Sequence, residues 1–336
     1  MKKILMILTS HRLDCLRLCV DMLAEGGSGA RFDRVCMLCS GVTGRHKRYV
    51  ESLPERFPNI AWDFIWGERG RGKPISDMQN ACVQRYPDSL YFKIDEDTFV
   101  SADWDLKLIE AHERFKEDPQ LSLITPVVTN NQRGAYHLLT TFPELGEEFV
   151  RRFNKPIVTD RMGPVWLIPH CAEFMIRRFL HLEQANEEIR KRLETTDRSL
   201  ETGDSRPQTQ NQEPKTKSAA KPPPFLTFSY PFSINCICYD YRHWQEIGGV
   251  PEEDENGWGQ WIPANGKIIV LVADALVHHY AFFVQQRWLD RTSLLEDIRA
   301  GNVPGSRHPR IPLARLGRTI SQVPEVLRER LHRKPA

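Results

Sequence analysis

The sequence has no long hydrophobic run and little net charge. No stretch approaches the roughly 18 consecutive apolar residues of a membrane-spanning helix. The apolar start at residues 1–8 meets His11, Arg12 and Asp14 with no small-residue cleavage site, which argues against a signal peptide. The 46 Lys and Arg residues against 44 Asp and Glu residues give a formal charge of +2. We therefore expect a cytoplasmic chain and no nucleic-acid partner.

The cysteines lack the spacing of a disulfide or zinc framework. Eight are scattered through apolar segments, and Cys36 and Cys39 form a C-x-x-C inside a predicted strand with no second pair nearby. A structural zinc site needs four ligands. Buried free thiols in a reducing cytoplasm are the expectation.

Two glycine-rich stretches fall short of known phosphate-binding motifs. Residues 26–29 follow a predicted helix, whereas a dinucleotide fingerprint follows a strand. Residues 67–74, GERGRGKP, approach G-x-x-x-x-G-K-[ST], but Pro74 has no hydroxyl for Mg²⁺ and no N–H for a phosphate. This argues against a phosphate-loop ATPase. A basic loop able to meet a diphosphate and a solvated surface turn both stay open.

Strands and helices alternate along the first part of the chain. Apolar runs typical of buried strands are separated by amphipathic segments typical of helices, and they fall at 3–8, 35–39, 62–66, 90–94 and 121–124. This alternation predicts an α/β fold with one doubly wound, mostly parallel sheet flanked by helices.

The second half is less regular. Residues 194–224 are polar and rich in Pro, Ser, Thr and Gln, which predicts a disordered insertion. Order resumes at residue 225. We expect one domain over 1–286, with a nucleotide-binding half at 1–131 and an acceptor and catalytic half at 225–286. A basic helical extension follows at 287–336, either solvated or in weak peripheral contact with anionic lipid.

The chain is organised around residues 90–100, LYFKIDEDTFV. An apolar run broken by Lys93 ends in Asp95, Glu96 and Asp97. Ligands bind at the carboxyl ends of parallel strands. Crowded carboxylates there favour a divalent metal that carries a phosphorylated ligand. A solvated acidic turn is the alternative.

Three motifs together resemble a known family. They are KIDEDTFV, NCICYDYRHWQEIGGVPEEDENGWGQW and ALVHHYAFFVQQ. In this order the sequence resembles a metal-dependent glycosyltransferase with the A-type nucleotide-sugar fold, close to the family-2-like group. The resemblance covers about residues 1–286, interrupted by the insertion. It implies transfer of a sugar from a nucleotide diphosphate donor, by default a UDP-sugar, to a glycan or other hydroxyl acceptor.

The resemblance also implies a donor and metal site. Asp95, Glu96 and Asp97 match the D-x-D motif, in which Asp97, with Asp95, holds Mn²⁺ or Mg²⁺ on the diphosphate. His279, which precedes an aromatic residue, is preferred to His278 as a further ligand. The remaining expected donor contacts are Thr9, Ser10, His11, Arg12 and Asn131.

The acidic run at 252–255 matches the motif that supplies the catalytic base in inverting members. Asp254 is favoured, with Glu255 and Glu253 as alternatives, and the base takes a proton from the acceptor hydroxyl. Trp258 and Trp261 are candidates for stacking on the acceptor, or else core residues.

The sequence departs from the family at one position on the helix before the D-x-D strand. Where many members carry Arg-Asn, it reads Gln79-Asn80. The diphosphate contact is therefore expected to shift to Arg71 or Lys73. A nucleotidyltransferase on a related fold and a non-catalytic glycan-binding scaffold remain alternatives.

Overall fold

The computed structural model describes residues 1–159, 163–201, 225–229, 232–280 and 283–304. Within these residues, a single mixed sheet of nine strands forms the centre of the molecule. The strands are β1 (Lys2–Thr9), β2 (Arg34–Ser40), β3 (Trp62–Gly67), β4 (Ser89–Asp95), β5 (Thr98–Val100), β6 (Leu121–Val128), β7 (Phe225–Phe228), β8 (Cys236–Asp240) and β9 (Ile268–His279).

Helices surround this sheet. They are α1 (Leu13–Glu25), α2 (Gly44–Glu51), α3 (Leu53–Arg56), α4 (Lys73–Arg85), α5 (Trp104–Phe115), α6 (Gln132–Thr141), α7 (Pro143–Phe153), α8 (Pro164–Leu167), α9 (Pro169–Arg178), α10 (Leu182–Glu201), α11 (Tyr241–Ile247), α12 (Glu255–Ala264), α13 (Phe283–Leu289) and α14 (Leu294–Asn302). No helix in the described part of the chain is long and apolar enough to span a membrane.

The sheet is mostly parallel, as the sequence predicts. The order is β3-β2-β1-β4-β8-β6-β9-β5, and β7 also pairs with β9. The first four strands pair in parallel, β8 runs antiparallel to β4 and β6, and β9 is parallel to β6. Six strands therefore share one direction, while β5, β7 and β8 oppose them. The result is an α/β sheet whose parallel strands end at one edge.

Both faces of the sheet are covered. Along β1, Leu5 and Ile7 lie in one buried cluster, while Ile4 and Met6 lie in another on the opposite face. Successive side chains of a strand point to opposite faces, so a strand covered on both sides is apolar throughout. This explains why the five early strands read as continuous apolar runs. All eight cysteines are buried free thiols, as expected.

The predicted insertion begins too early. Helix α10 continues to Glu201, anchored by Leu182, Ala185 and Ile189, which are buried at helical spacing on its inner face. Its outer face and last turns are charged, and this composition resembles a disordered segment. The remainder of the insertion, residues 202–224, lies outside the described residues.

The predicted C-terminal boundary at residue 286 falls inside α13. Leu289, Leu294 and Ile298 are fully buried in the main core. Residues 287–304 therefore pack with the domain and do not form an extension. The rest of the predicted extension, including the basic segment considered for lipid contact, lies outside the described residues.

Candidate functional site

The loop after β1 and the acids after β4 lie side by side. Strands β1 and β4 pair in parallel, with Leu8 opposite Asp95, so both chains leave the sheet at the same edge. The antiparallel strand β8 begins at that edge, opposite Ile94. A cleft of about 350 Å³ opens there. It is lined by Leu8, Ser10, His11, Arg12, Arg71, Ile75, Lys93, Asp95, Glu96, Asp97, Ser233, Ile234, Asn235, Asp254, Glu255, His279 and Gln286.

Asp95, Asp97 and His279 converge in this cleft. Each offers one ligand atom, and the three atoms lie within 4.8 Å of one another. The approach follows from the sheet, because Thr98 in β5 pairs with His279 in β9. The Tyr280 N–H also donates to the Asp97 carbonyl at 2.8 Å. Two carboxylates and one imidazole form a donor set that suits a divalent cation such as Mn²⁺.

The pair of Asp97 and His279 is electrostatically matched. His279 Nε2 lies 3.3 Å from Asp97 Oδ1. Burial alone would raise the pKa of Asp97, but the imidazole outweighs it and the pKa is lowered. Burial would likewise lower the pKa of His279, but Asp97 outweighs it and the pKa is raised. The two side chains therefore stabilise each other's charged forms.

Asp95 is paired with Lys93, a buried lysine that the sequence analysis treats only as an interruption. Lys93 is 1% exposed, and its Nζ donates to Asp95 Oδ1 at 2.6 Å and to the Ile234 carbonyl at 2.9 Å. Burial raises the pKa of Asp95 to about 6, although Lys93 opposes this. One oxygen of Asp95 is thus held by Lys93, which leaves the other for a cation or its water.

Glu96 holds the loop after β1. Its Oε1 accepts from the N–H groups of His11 and Arg12, both at 3.0 Å, and from Ser10 Oγ at 3.2 Å. Its Oε2 accepts from Thr9 Oγ1 at 2.6 Å. The middle acid of the motif therefore shapes the loop that four predicted donor contacts share.

Arg12 is the last residue of that loop and lines the cleft. Its guanidinium bonds to both Asp14 oxygens at 3.1 Å and to Asp290 Oδ1 at 2.9 Å, and it lies over the Tyr280 ring. Ser10 and His11 line the cleft beside it. Thr9 is fully buried behind them, between Glu96 and His46.

The basic loop at residues 67–74 has one basic side chain in the cleft and another on the surface. Arg71 lines the cleft. Lys73 is exposed outside it, with Asp77 at 3.2 Å and Glu252 at 3.1 Å.

The second acidic cluster brings two of its carboxylates to the cleft. Asp254 and Glu255 line it, whereas Glu253 is exposed elsewhere. Asp254 has φ of +50°, a left-handed conformation that is uncommon for a residue with a side chain. Strain of this kind is concentrated at functional sites and costs about 1–3 kcal/mol.

Three predicted contacts lie away from the cleft. Trp258 is fully buried between Tyr239 and His243, with ring centroids 5.5 and 5.1 Å away, so an acceptor has no exposed face on which to stack. Trp261 packs edge-on against His243. Asn131 caps α6, where its side chain accepts from the N–H groups at positions 133 and 134.

Four polar residues of the cleft were not expected from the sequence: Lys93, Ser233, Asn235 and Gln286. Ser233 and Asn235 are almost fully buried, and Ser233 Oγ and Asn235 Oδ1 have no hydrogen-bond partner among the described residues. The available signals were a lysine inside an apolar strand and polar residues directly before β8. Neither signal gives a role without the pairing of β4 with β8.

Comparison with known proteins finds no matching family model and no matching curated protein. Among solved structures, the chain is similar to the mannosyltransferase PcManGT from Pyrobaculum calidifontis, whose structure is in complex with GDP-Man and Mn²⁺. That match has 11% identity and a TM-score of 0.47 and covers 92% of this chain and 66% of that one, slightly less than two thirds. The match to GalNAc-T7 with UDP, GalNAc and Mn²⁺ has 11% identity and a TM-score of 0.46, and it covers 84% of this chain and 44% of that one. The match to S. aureus TarS 1–349 has 11% identity and a TM-score of 0.42, and it covers 94% of this chain and 77% of that one.

Proposed function

We propose that this protein is a glycosyltransferase that transfers a sugar from a nucleotide diphosphate donor to a hydroxyl acceptor. The observation that carries the proposal is the meeting, in one cleft, of the cluster Asp95, Asp97 and His279 with the carboxylates of Asp254 and Glu255. Such a cleft holds a cation-binding end and a proton-accepting end, as sugar transfer from a diphosphate requires.

At the cation-binding end, Asp97 and His279 are the proposed direct ligands of Mn²⁺ or Mg²⁺. Asp95 contributes its second oxygen, because the first is bonded to Lys93. A bound cation would neutralise charge on the leaving diphosphate. Arg71 lines the same cleft and supplies further positive charge for phosphate oxygens.

The loop after β1 is the proposed contact for the nucleoside. Glu96 fixes the backbone of this loop, so Ser10 and His11 are held at the cleft before a donor arrives. Preorganisation of this kind reduces the entropy cost of binding. The nucleobase of the donor is to be found by experiment, and uracil, in UDP, is the first choice from the resemblance.

At the other end, Asp254 is the proposed general base. A carboxylate on the acceptor side would take the proton from the hydroxyl as it attacks the anomeric carbon, which inverts its configuration. Glu255 is the alternative base. Glu253 is less favoured because it is exposed away from the cleft.

A donor screen tests the proposal. The protein is incubated with Mn²⁺ and, separately, UDP-Glc, UDP-Gal, UDP-GlcNAc, UDP-GalNAc and GDP-Man, and release of UDP or GDP is measured. We expect Mn²⁺-dependent release for donors of one nucleobase, slowed about 10²–10⁴-fold but still measurable in Asp254→Asn. If the protein binds a donor or a glycan but releases no UDP or GDP from any donor, the non-catalytic glycan-binding scaffold would be favoured. Pyrophosphate formed from UTP and a sugar phosphate would favour the nucleotidyltransferase.

A further inference from the structure

Helix α4 contacts the segment that carries Asp254 along one of its faces. Gly72, Ser76, Gln79 and Asn80 are spaced so that they share one side of the helix. Each of them contacts residues 250–254.

The contacts hold the segment from its first residue to its last. Asn80 Oδ1 accepts from the Val250 N–H at 2.7 Å, and its Nδ2 donates to the Val250 carbonyl at 3.1 Å. Ser76 Oγ donates to the Pro251 carbonyl. Gln79 Nε2 donates to Asp254 Oδ1 at 3.3 Å. Helix α4 thus fixes both the backbone of residues 250–251 and the side-chain carboxylate of Asp254.

Close backbone approach at the start of α4 completes the contact. Gly72 has φ of +65°, and a Cβ at this position would lie 2.8 Å from the Glu252 carbonyl oxygen. A side chain would therefore push the two segments apart. The strained φ of Asp254 persists because its surroundings determine it at several points.

We propose that Gln79 is a positioning residue that holds the Asp254 carboxylate at the cleft. Gln79 is fully buried, and its amide Nε2 donates to this carboxylate. The inference rests on the proposed function, in which Asp254 is the base. It assigns α4 a role in placing the acid.

Gln79→Met tests this assignment, because it keeps the side-chain length and removes the amide donor. Gln84→Met is the matched control, since Gln84 is exposed on the same helix. The first readout is hydrogen–deuterium exchange at the Asp254 amide, which donates to the Pro251 carbonyl at 2.9 Å. We expect exchange about tenfold faster in Gln79→Met at an unchanged melting temperature, and no change in Gln84→Met. Unchanged exchange in Gln79→Met would overturn the positioning role even without an active donor.

The second readout is a double-mutant cycle on nucleotide release, with the donor found in the screen. We expect Gln79→Met to lower kcat about tenfold with little change in donor KM, and to have no further effect in the Asp254→Asn background. Additive losses would mean that Gln79 does not act through Asp254, which overturns the inference and leaves the proposed function standing. Full turnover in Asp254→Asn alone would instead remove the base from the proposed function, and the inference with it.

Discussion

At the scale of single residues, the structure keeps several ionisable groups neutral in the core. His243 lies against Trp258, and burial lowers its pKa to about 3, although Asp240 opposes this. His278 is fully buried, and burial lowers its pKa to about 4. Both imidazoles are therefore uncharged in the folded protein over the whole physiological range.

These neutral histidines predict acid destabilisation. Because the folded-state pKa of His243 is depressed, its contribution to stability is complete above the ordinary value of 6.5 and is lost as the pH falls from there toward 3. His243→Gln should lower the melting temperature at pH 7 through lost packing. The difference in unfolding free energy between the variant and the wild type should narrow as the pH falls, by up to about 1.4 kcal/mol per pH unit.

Melting temperatures between pH 7 and pH 4.5 check this expectation. His181→Gln serves as the control, because His181 is exposed. A gap for His243→Gln that stays constant over this range would contradict the account.

Residue types were predictable from the sequence, but their partners were not. The acids of KIDEDTFV and His279 were selected by motif, and the structure places them together. Glu96 acquires its role only through tertiary contacts with the loop after β1, and Lys93 only through burial against the Ile234 carbonyl before β8. A buried lysine in an apolar strand signals that a partner exists, but it does not say which partner.

At the scale of elements, a bulge in β9 changes the direction of the strand before it reaches the cleft. The pairing of β9 with β6 shifts register between Val272 and Leu276. Bulges bend a strand and redirect the side chains that follow. Helices α5, α6 and α10 each direct one polar side chain to this bulge. The bonds join Lys107 Nζ to the Asp274 carbonyl at 2.7 Å, His137 Nε2 to the Ala273 carbonyl at 3.1 Å, and Asn186 Oδ1 to the Leu276 N–H at 2.7 Å.

Asn186→Ala should therefore affect both stability and the metal cluster. It leaves a buried N–H without its acceptor, at a cost of about 1–3 kcal/mol. It also frees the strand three residues before His279, so Mn²⁺ affinity should fall. Thermal melting and Mn²⁺ titration measure the two effects.

Asn302→Ala is the matched control for this prediction. Asn302 makes a similar set of bonds with residues 180, 182 and 298, away from the bulge. We expect comparable destabilisation with unchanged Mn²⁺ affinity. Equal loss of Mn²⁺ binding in both variants would show that the bulge has no specific role.

The length of an element decided how well the sequence predicted it. The five apolar runs predicted as strands correspond to β1, β2, β3, β4 and β6, although β6 continues to Val128, four residues past the predicted end. Strand β5 has three residues, too few for a pattern, yet it brings Asp97 to His279. The apolar segments 268–272 and 275–277 belong to one strand, β9, although a bulge between them interrupts the pairing.

At the scale of the whole molecule, the chain closes on itself around the cleft. Residues 283–304 return to the first helix and its preceding loop. Arg299 pairs with Asp21 at 2.6 Å, and Arg12 pairs with Asp290 at 2.9 Å. The sequence did not predict this closure, because charged residues of both signs separate the buried apolar positions of α13 and α14.

Truncation tests the extent of the domain. A chain ending at residue 286 loses three fully buried apolar side chains, each worth about 2–5 kcal/mol when truncated in a core. We expect residues 1–286 to be largely unfolded and residues 1–304 to melt cooperatively. Circular dichroism of the two chains distinguishes these outcomes, and equal melting temperatures would restore the boundary at 286.

The proposed function requires this cleft to bind a nucleotide diphosphate through a divalent cation. Calorimetric titration of UDP and GDP into the purified protein, with and without Mn²⁺, measures this binding. We expect binding of one nucleotide in the presence of Mn²⁺, and loss of that binding in Asp97→Ala. Binding of neither nucleotide under any condition, or equal binding in Asp97→Ala, would contradict it.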